Sequence, residues 1–387
     1  MAASIKVDVS PLVLDWVIEQ TSYAPLKSDV TNSLLNWKSG EKTPTFAQIE
    51  LVSKATHIPL GYFFLPQPPV ENFPILQYRT IDSIHSGNPS RDLIDTINYT
   101  ESVQEWMHNY MVDNDCDKLD FVGSVGENDT QVIDIADKIR KAMSIQNDWY
   151  RHIEANTDVF KFFREKLENI GVLVMMNGIV ANNTHRKLNI DEFRAFAMAD
   201  DYAPLIFINS NDSKGAKLFS LLHECVHIWL GKNSLFNNRY ATSSVNSLEI
   251  LCNATAAEVL APNNLFVHEW QKEKRFNNHD KIKRLSHLFH CGAIVIARRA
   301  LDNNYISRND YQAVVGAVIK QFNESRKKPS SGGDYYLNTA ARVGKRFVVA
   351  LDCSVKEGKT QFTDAYRLTH TNRNTFAELV ERCGRRS

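Results

Sequence analysis

The stretch that constrains this chain most is residues 223–227, which reads His-Glu-Cys-Val-His. It has the H-E-x-x-H pattern, in which two histidines four residues apart lie on one helical face and can reach one metal ion. The glutamate between them can lie beside the open coordination position, where a general base is needed. N-cap residue types at 211–213 and Gly231 bound this segment, whose apolar stripe predicts a buried helix.

A second predicted helix, over residues 247–261, offers the third metal ligand. It is rich in alanine and is stopped by Pro262. Glu249 and Asn253 share one face, so that Glu249 could bind the metal while Asn253 hydrogen-bonds a ligating histidine. Glu258 is the alternative ligand, but it lies nine residues further on and faces away from Glu249. The spacing says only that one of the two glutamates reaches the metal.

Short apolar segments before the motif predict a small mixed sheet. Strands are expected at 171–176, 192–198 and 205–209. The last of these comes directly before the motif helix and is the expected edge strand, where an extended substrate could pair by β-augmentation.

These segments resemble the ImmA/IrrE family of zinc metallopeptidases. The residues that carry the resemblance are Phe193-Arg-Ala-Phe196, Ile206-Phe-Ile-Asn209, Leu221-Leu-His-Glu-Cys-Val-His227, Glu249-Ile-Leu-Cys-Asn253 and Ala261-Pro262. The resemblance implies that His223, His227 and Glu249 hold Zn²⁺, which favours Glu249 over Glu258. It also implies that Glu224 is the catalytic base.

The function implied by this resemblance is zinc-dependent hydrolysis of a peptide bond. Glu224 would take a proton from the attacking water and pass it to the leaving amine. His268 and Tyr240 are the candidates for stabilising the oxyanion, because they are near in sequence. The expected substrate is a regulatory protein, namely a helix-turn-helix repressor or an antitoxin of a stress, mobile-element or toxin–antitoxin system.

The alternative is a binding protein that does not cleave its partner. In this hypothesis the zinc site is structural, and the protein either sequesters a partner toxin or binds operator DNA as a repressor. The presence of Glu224 favours the enzyme, because a structural zinc site does not need a base.

The N-terminal region resembles the later part of an XRE-type helix-turn-helix. The resemblance lies in a W-x-x-G-x-x-x-P-T turn at 37–45 and in residues 58–66, which are similar to the segment that leads into an ImmA/IrrE peptidase. The segment between Trp16 and Trp37 is shorter than the corresponding segment of that family. This is the segment in which the recognition helix should lie. Residues 1–70 hold five lysines, no arginine and six acidic residues, whereas a DNA-binding module presents a basic face. We therefore favour a partner-binding helical module over a DNA-binding one.

The whole sequence predicts an α+β fold that is mostly helical, with a minimal zinc-metallopeptidase core flanked by helical modules. The predicted divisions are an XRE-like helical module at 1–70, a helical connector at 71–128, the metallopeptidase domain at 129–326 and a small helical C-terminal module at 334–387. Single long helices are expected at 279–300 and 337–353. A protein partner is expected, and the oligomeric state is left open.

The composition of the chain indicates which partners and which cellular compartment to expect. The formal net charge is zero, so no overall charge draws the chain to nucleic acid or to a membrane. There is no apolar run long enough to span a bilayer and no apolar signal segment at the N-terminus. Six scattered cysteines without C-x-x-C spacing favour the reduced cytoplasm. Cys225 and Cys252 flank the metal motifs but are offset from the ligand face, so they are not expected to bind the metal.

Overall fold

The computed structural model describes residues 5–21, 26–71, 89–126, 131–154, 156–236, 247–326 and 335–384. The described residues form two compact units, one comprising 5–71 with 89–98 and the other comprising 99–384. Helices dominate, and one small mixed sheet lies in the second unit. This confirms the predicted α+β, mostly helical fold class. The predicted boundaries at 70, 128 and 334 stay predictions.

The described residues 5–71 of the first unit form three short helices and one 3₁₀ turn. The helices are α1 (Pro11–Thr21), α2 (Ser28–Lys38) and α3 (Phe46–Thr56), and the turn is Leu60–Phe64. Their inward faces form a core of its own, made by Val13, Leu14, Val17, Leu34, Trp37, Ile49, Val52, Ile58 and Phe63. Thr45 begins α3 with a capping box, because its hydroxyl accepts from the Gln48 amide while the Gln48 side chain accepts from the Thr45 amide.

Helix α4 (Arg91–Asp113) is followed by the helices of the second unit. These are α5 (Val132–Ala142), α6 (Val159–Asn169), α7 (Lys214–Trp229), α8 (Ser247–Leu260), α9 (Asn263–Lys272), α10 (Asn278–Leu288), α11 (Ala293–Asp302), α12 (Arg308–Arg326), α13 (Tyr335–Val343), α14 (Lys345–Lys356), α15 (Phe362–Thr369) and α16 (Arg373–Gly384). The strands are β1 (Leu173–Asn177), β2 (Ile179–Val180), β3 (Asn183–Lys187), β4 (Ala195–Met198), β5 (Leu205–Asn209) and β6 (Ser234–Phe236).

The main sheet has the strand order β1-β5-β4-β6. Strand β1 pairs with β5 in parallel, whereas β4 is antiparallel to both β5 and β6. Strands β2 and β3 form a separate antiparallel pair. The prediction that β5 is an edge strand is wrong, because β5 lies between β1 and β4 and all five of its residues are buried. Among the described strands, β1 and β6 are the edges of this sheet, and helix α13 packs against β1.

Two predicted long helices are each divided in the structure. Residues 279–300 form α10 and α11, because the chain turns at His290, which has a φ of 49°, and α11 begins only after Gly292. Residues 337–353 form α13 and α14, because Gly344 has a φ of 86°, a conformation that glycine adopts readily. The sequence also gave no indication of β2, β3 or β6, which are short or polar.

Helix α7, which carries the H-E-x-x-H motif, is the central element of the second unit. It packs on β4, β5, α6 and α8. Its first turn is capped by Ser213, whose hydroxyl accepts from the Ala216 amide. Its last turn is closed by residues from another segment, since the Gly123 and Val125 amides donate to the carbonyls of Ile228 and Trp229 at 3.1 and 3.0 Å. Both ends of the helix are therefore fixed by hydrogen bonds.

No helix in the described parts of the chain combines the length and the apolar character that crossing a lipid bilayer requires.

Candidate metal centre

Helices α7 and α8 bring three potential ligands together in the interior of the second unit. His223 and His227 come from successive turns of α7, and Glu249 comes from the first turn of α8. The two imidazole Nε2 atoms are 3.2 Å apart. Oε2 of Glu249 lies 3.2 Å from Nε2 of His223, and Oε1 of Glu249 lies 3.4 Å from Nε2 of His227. All three side chains are buried, and together they form the one group with metal-ligand geometry in the described residues.

The spacing of these three donors fits a tetrahedral metal ion. Zn²⁺ lies about 2.0–2.1 Å from imidazole nitrogen and carboxylate oxygen, so the donors of an ideal tetrahedron are roughly 3.3–3.4 Å from one another. The two nitrogens are 3.2 Å apart, and each has one carboxylate oxygen at 3.2 or 3.4 Å, Oε2 for His223 and Oε1 for His227, which is close to that edge length. Two nitrogens and one oxygen also leave a fourth position open, which is the arrangement of catalytic rather than structural zinc sites. The cluster could therefore bind a metal ion.

Asn253 holds the first histidine in the orientation that this requires. Its Oδ1 atom lies 3.0 Å from Nδ1 of His223. An amide oxygen only accepts hydrogen bonds, so Nδ1 of His223 carries a proton and Nε2 is the atom that faces the cluster and could bind a metal ion. Asn253 thus contacts one of the two candidate histidine ligands, and its supporting role at a metal site stays a prediction.

Glu224 is fully buried beside the cluster, and its two carboxylate oxygens differ in their hydrogen bonding. Oε2 accepts a hydrogen bond from the Ser234 hydroxyl, whereas Oε1 has no hydrogen-bond partner in the described part of the chain. Burial raises the pKa of Glu224 to about 7, against the opposing effects of the His227 charge and the Ser234 hydrogen bond. A cation held by the three ligands would favour the carboxylate form.

The electrostatics of Glu249 differ from those of Glu224. Burial acts to raise the pKa of Glu249, but the hydrogen bonds and charges of His223 and His227 outweigh it and hold the pKa well below its usual range. Glu249 is therefore an anion at neutral pH, as a metal ligand must be.

The two cysteines near the motifs are poor ligands. Burial raises the pKa of both Cys225 and Cys252 above the ordinary thiol value. Because the thiolate is the form that binds a metal, both side chains stay neutral core groups at neutral pH.

The alternative ligand, Glu258, is occupied elsewhere. Its carboxylate accepts from the Arg299 guanidinium at 2.6 Å and from the Asn263 amide at 3.2 Å. Its own carbonyl accepts from Arg140 at 2.8 Å. Two further carbonyls at the end of α8 are bound by side chains, those of Val259 and Ala261 by Trp149 and Arg299, respectively. Glu258 therefore belongs to a network that fixes the C-terminal end of α8.

The structure locates only one of the two residues that were predicted to stabilise the oxyanion. His268 is exposed on α9 and is not part of the metal cluster. Tyr240 lies outside the described residues. The structure also places the Ser234 hydroxyl at Oε2 of Glu224, a contact that no sequence pattern predicted. A strand of three residues has no detectable periodicity, so nothing in the sequence around Ser234 pointed to the motif helix.

Comparison with protein families gives two matches. Residues 167–301, about a third of the chain, match a peptidase family model described as the IrrE N-terminal-like domain. This range contains the main sheet, α7 and α8. Residues 343–382 match a domain of unknown function, DUF8813. No curated protein and no solved structure matches the chain.

The two matches support one of the predicted resemblances and leave the other untested. The XRE-like resemblance of the first 70 residues stays a prediction, because neither match extends to them. In contrast, the IrrE-like match covers His223, His227 and Glu249, the residues of the buried cluster. The central part of this chain is therefore similar to the IrrE N-terminal-like domain, and this similarity supports a metallopeptidase-type function.

Proposed function

We propose that this protein is a zinc-dependent metallo-endopeptidase that cleaves a regulatory protein. The observation that carries the proposal is a buried cluster of two imidazoles and one carboxylate that could hold a metal ion, with a second buried carboxylate, that of Glu224, directly beside it. Two nitrogens and one oxygen form a donor set that suits zinc and leaves one position open. The similarity of residues 167–301 to a peptidase domain supports the same reaction class.

The proposed chemistry divides between the ion and the chain. Zinc bound by His223, His227 and Glu249 would supply Lewis acidity, which polarises a peptide carbonyl and makes water more acidic. Glu224 moves the proton. Its Oε1 atom takes a proton from the water that attacks the carbonyl carbon, and the same carboxyl group then gives a proton to the leaving nitrogen.

The residues around Glu224 favour this role. The carboxylate is enclosed by the core, so bulk water does not compete for the proton. Asn253 fixes one imidazole through its Nδ1 atom and thereby keeps the other nitrogen free for the ion. A structural zinc site does not need a second buried carboxylate, whereas a general base needs a carboxylate whose pKa is raised by an enclosed environment.

The proposed substrate is a helix-turn-helix repressor or an antitoxin. It follows from the resemblance to ImmA/IrrE peptidases together with the XRE-like pattern at 37–45. In this proposal the N-terminal helical module binds a protein partner rather than DNA, because its acidic residues outnumber its lysines. The cellular setting is the cytoplasm.

The test is to capture the partner with a variant that cannot cleave it. Tagged Glu224→Gln protein, loaded with zinc, is used to isolate bound proteins from the native host, and these are then incubated with wild-type protein. We expect a helix-turn-helix protein that the wild type cuts and Glu224→Gln leaves intact, with zinc content unchanged. Glu269→Gln is the matched control, because Glu269 pairs with Arg151 and Lys272 at the surface.

Two results would contradict the proposal. Cleavage by Glu224→Gln at the wild-type rate would remove Glu224 from the mechanism. A stoichiometric partner that the zinc-loaded wild type binds and leaves intact would make the protein an antitoxin-like binder.

A further inference from the structure

Strand β6 carries a serine whose side chain points at the general base rather than at the metal ligands. Ser234 is only 2% exposed, and its hydroxyl donates to Oε2 of Glu224. The other carboxylate oxygen, Oε1, is buried and has no hydrogen-bond partner in the described residues. The contact therefore distinguishes two oxygens that would otherwise be equivalent.

The backbone around Ser234 is held by the sheet. Strand β6 pairs in antiparallel register with β4, so that Ser234 lies opposite Ala197 and Leu235 lies opposite Phe196. Asn233, the residue before Ser234, accepts a hydrogen bond from the Ala199 amide at 2.7 Å through its Oδ1 atom. Leu235, the residue after it, is buried. A hydroxyl on such a segment has a fixed position relative to α7, which packs on β4 and β6.

A carboxylate on a helix can rotate about its terminal torsion, which is broad and nearly two-fold. One hydrogen bond to a fixed donor restricts that rotation and leaves one lone-pair face of the carboxylate in a defined direction. Hydrogen bonds to ionised acceptors are short and strong, so a single donor is sufficient for this.

We propose that Ser234 is a positioning residue that holds the Glu224 carboxylate so that Oε1 faces the reacting water. The inference deepens the proposed peptidase function and rests on it. Ser234 keeps its own proton throughout, and no covalent bond to it forms or breaks. Its contribution is to restrict where the proton acceptor lies.

The experiment compares Ser234→Ala, which removes the donor, with Ser234→Thr, which keeps a hydroxyl and suits a strand. Ser354→Ala is the matched control, because the Ser354 hydroxyl is also buried and bonded, here to Thr360 at 2.8 Å in the C-terminal region. Initial rates are measured over a range of concentrations of one substrate, the helix-turn-helix protein captured by Glu224→Gln, and zinc content is measured on each protein.

We expect Ser234→Ala to lower kcat about 10- to 100-fold, the usual cost of losing a group that orients an active-site side chain. KM and zinc content stay at wild-type values, Ser234→Thr restores most of kcat, and Ser354→Ala leaves kcat unchanged. An unchanged kcat in Ser234→Ala would overturn the proposal. Equal losses in the alanine and threonine variants would also overturn it, because the hydroxyl would then not be responsible.

A second readout does not depend on activity or on metal. Thermal midpoints of the metal-free protein are compared for Ser234→Ala in the wild-type and in the Glu224→Ala background. We expect a clear fall in the first and a smaller one in the second, because only the first loses a bond between the two side chains. Equal decreases of the thermal midpoint in the two backgrounds would contradict a hydrogen bond between Ser234 and Glu224.

The two readouts separate two failures. If the zinc-loaded wild type leaves the captured partner intact while the midpoints show coupling, the peptidase function is wrong, and Ser234 is only a structural partner of a buried carboxylate. If the wild type cleaves and the Ser234 variants match it, the peptidase function stands and the positioning role is wrong.

Discussion

Glu249 and Glu258 lie on the same helix, nine residues apart, and both carboxylates are buried. Glu249 faces two imidazoles of α7. Glu258 faces the Arg299 guanidinium and the Asn263 amide. One carboxylate lies beside imidazole nitrogens that can share a metal ion with it, whereas the other already has a permanent cation. The chemistry of a buried carboxylate is therefore set by what the neighbouring helix presents to it, and the two ends of α8 have different tasks.

The largest expected effect is on the structural end of α8. Glu258→Ala should lower the free energy of unfolding of the metal-free protein by about 3–5 kcal/mol, because Arg299 would keep a buried charge without a partner. Urea denaturation followed by tryptophan fluorescence measures this. Glu273→Ala is the control, since Glu273 pairs with Arg284 at the surface and should cost no more than about 1 kcal/mol. A similar loss in both variants would remove the distinction.

The next effect is on the metal end. Glu249→Gln should lower zinc affinity by more than about 100-fold, which is the upper end of the effect of removing an outer contact to a ligand. The reason is that the variant loses the anionic donor of the cluster. Competition with a chromogenic chelator measures the affinity. Wild-type zinc affinity in Glu249→Gln would contradict the assignment of Glu249 as a ligand. An equally large loss of zinc affinity in folded Glu258→Gln would contradict the distinction between the two glutamates.

A smaller effect is expected one turn further along α8. Asn253→Ala should lower zinc affinity about 10- to 100-fold, because Nδ1 of His223 loses the acceptor that fixes its tautomer. The same competition assay applies. Asn303→Ala is the control, since the Asn303 amide bonds to Asn263 at 2.8 Å and not to a ligand. Equal affinity in the Asn253 variant and the control would show that the tautomer needs no support.

The smallest expected effect tests whether Glu258 and Arg299 stabilise the protein as a pair. A double variant, Glu258→Met with Arg299→Leu, replaces both charges with apolar groups of similar size. Replacing both partners of a buried pair costs much less than removing one, so the double variant should be at least about 1 kcal/mol more stable than Glu258→Ala. Its zinc affinity should equal that of the wild type. A lower stability than that of Glu258→Ala would mean that Glu258 and Arg299 do not act as a pair.

The sequence predicts those parts of the site that depend on spacing within one helix. His223 and His227 share a face because they are four residues apart, and Ser213 and Gly231 mark the ends of their helix. The same rule placed Asn253 on the face of Glu249. The mostly helical fold with a small sheet followed from the apolar segments around the motif.

The parts that depend on contacts between distant segments did not follow. Nothing near Glu258 indicates that Arg299, forty-one residues later, would neutralise it. Strand order is also non-local, so β5 was expected at an edge although it pairs with β1 and β4. Ser234 reaches Glu224 only because β6 adds to the sheet beside α7. The breaks at His290 and Gly344 depend on backbone conformation rather than on the helical pattern around them.

The most direct test of the metal centre is anomalous diffraction at the zinc edge from crystals of protein purified with zinc. We expect one strong peak about 2.0–2.2 Å from Nε2 of His223, Nε2 of His227 and a carboxylate oxygen of Glu249. Glu224 should lie outside ligand distance, with Oε1 facing the open side of the ion. A zinc-saturated protein with no peak at this position, or with the ion bound by Glu258 or a cysteine, would contradict the assignment of the site and the peptidase function that rests on it.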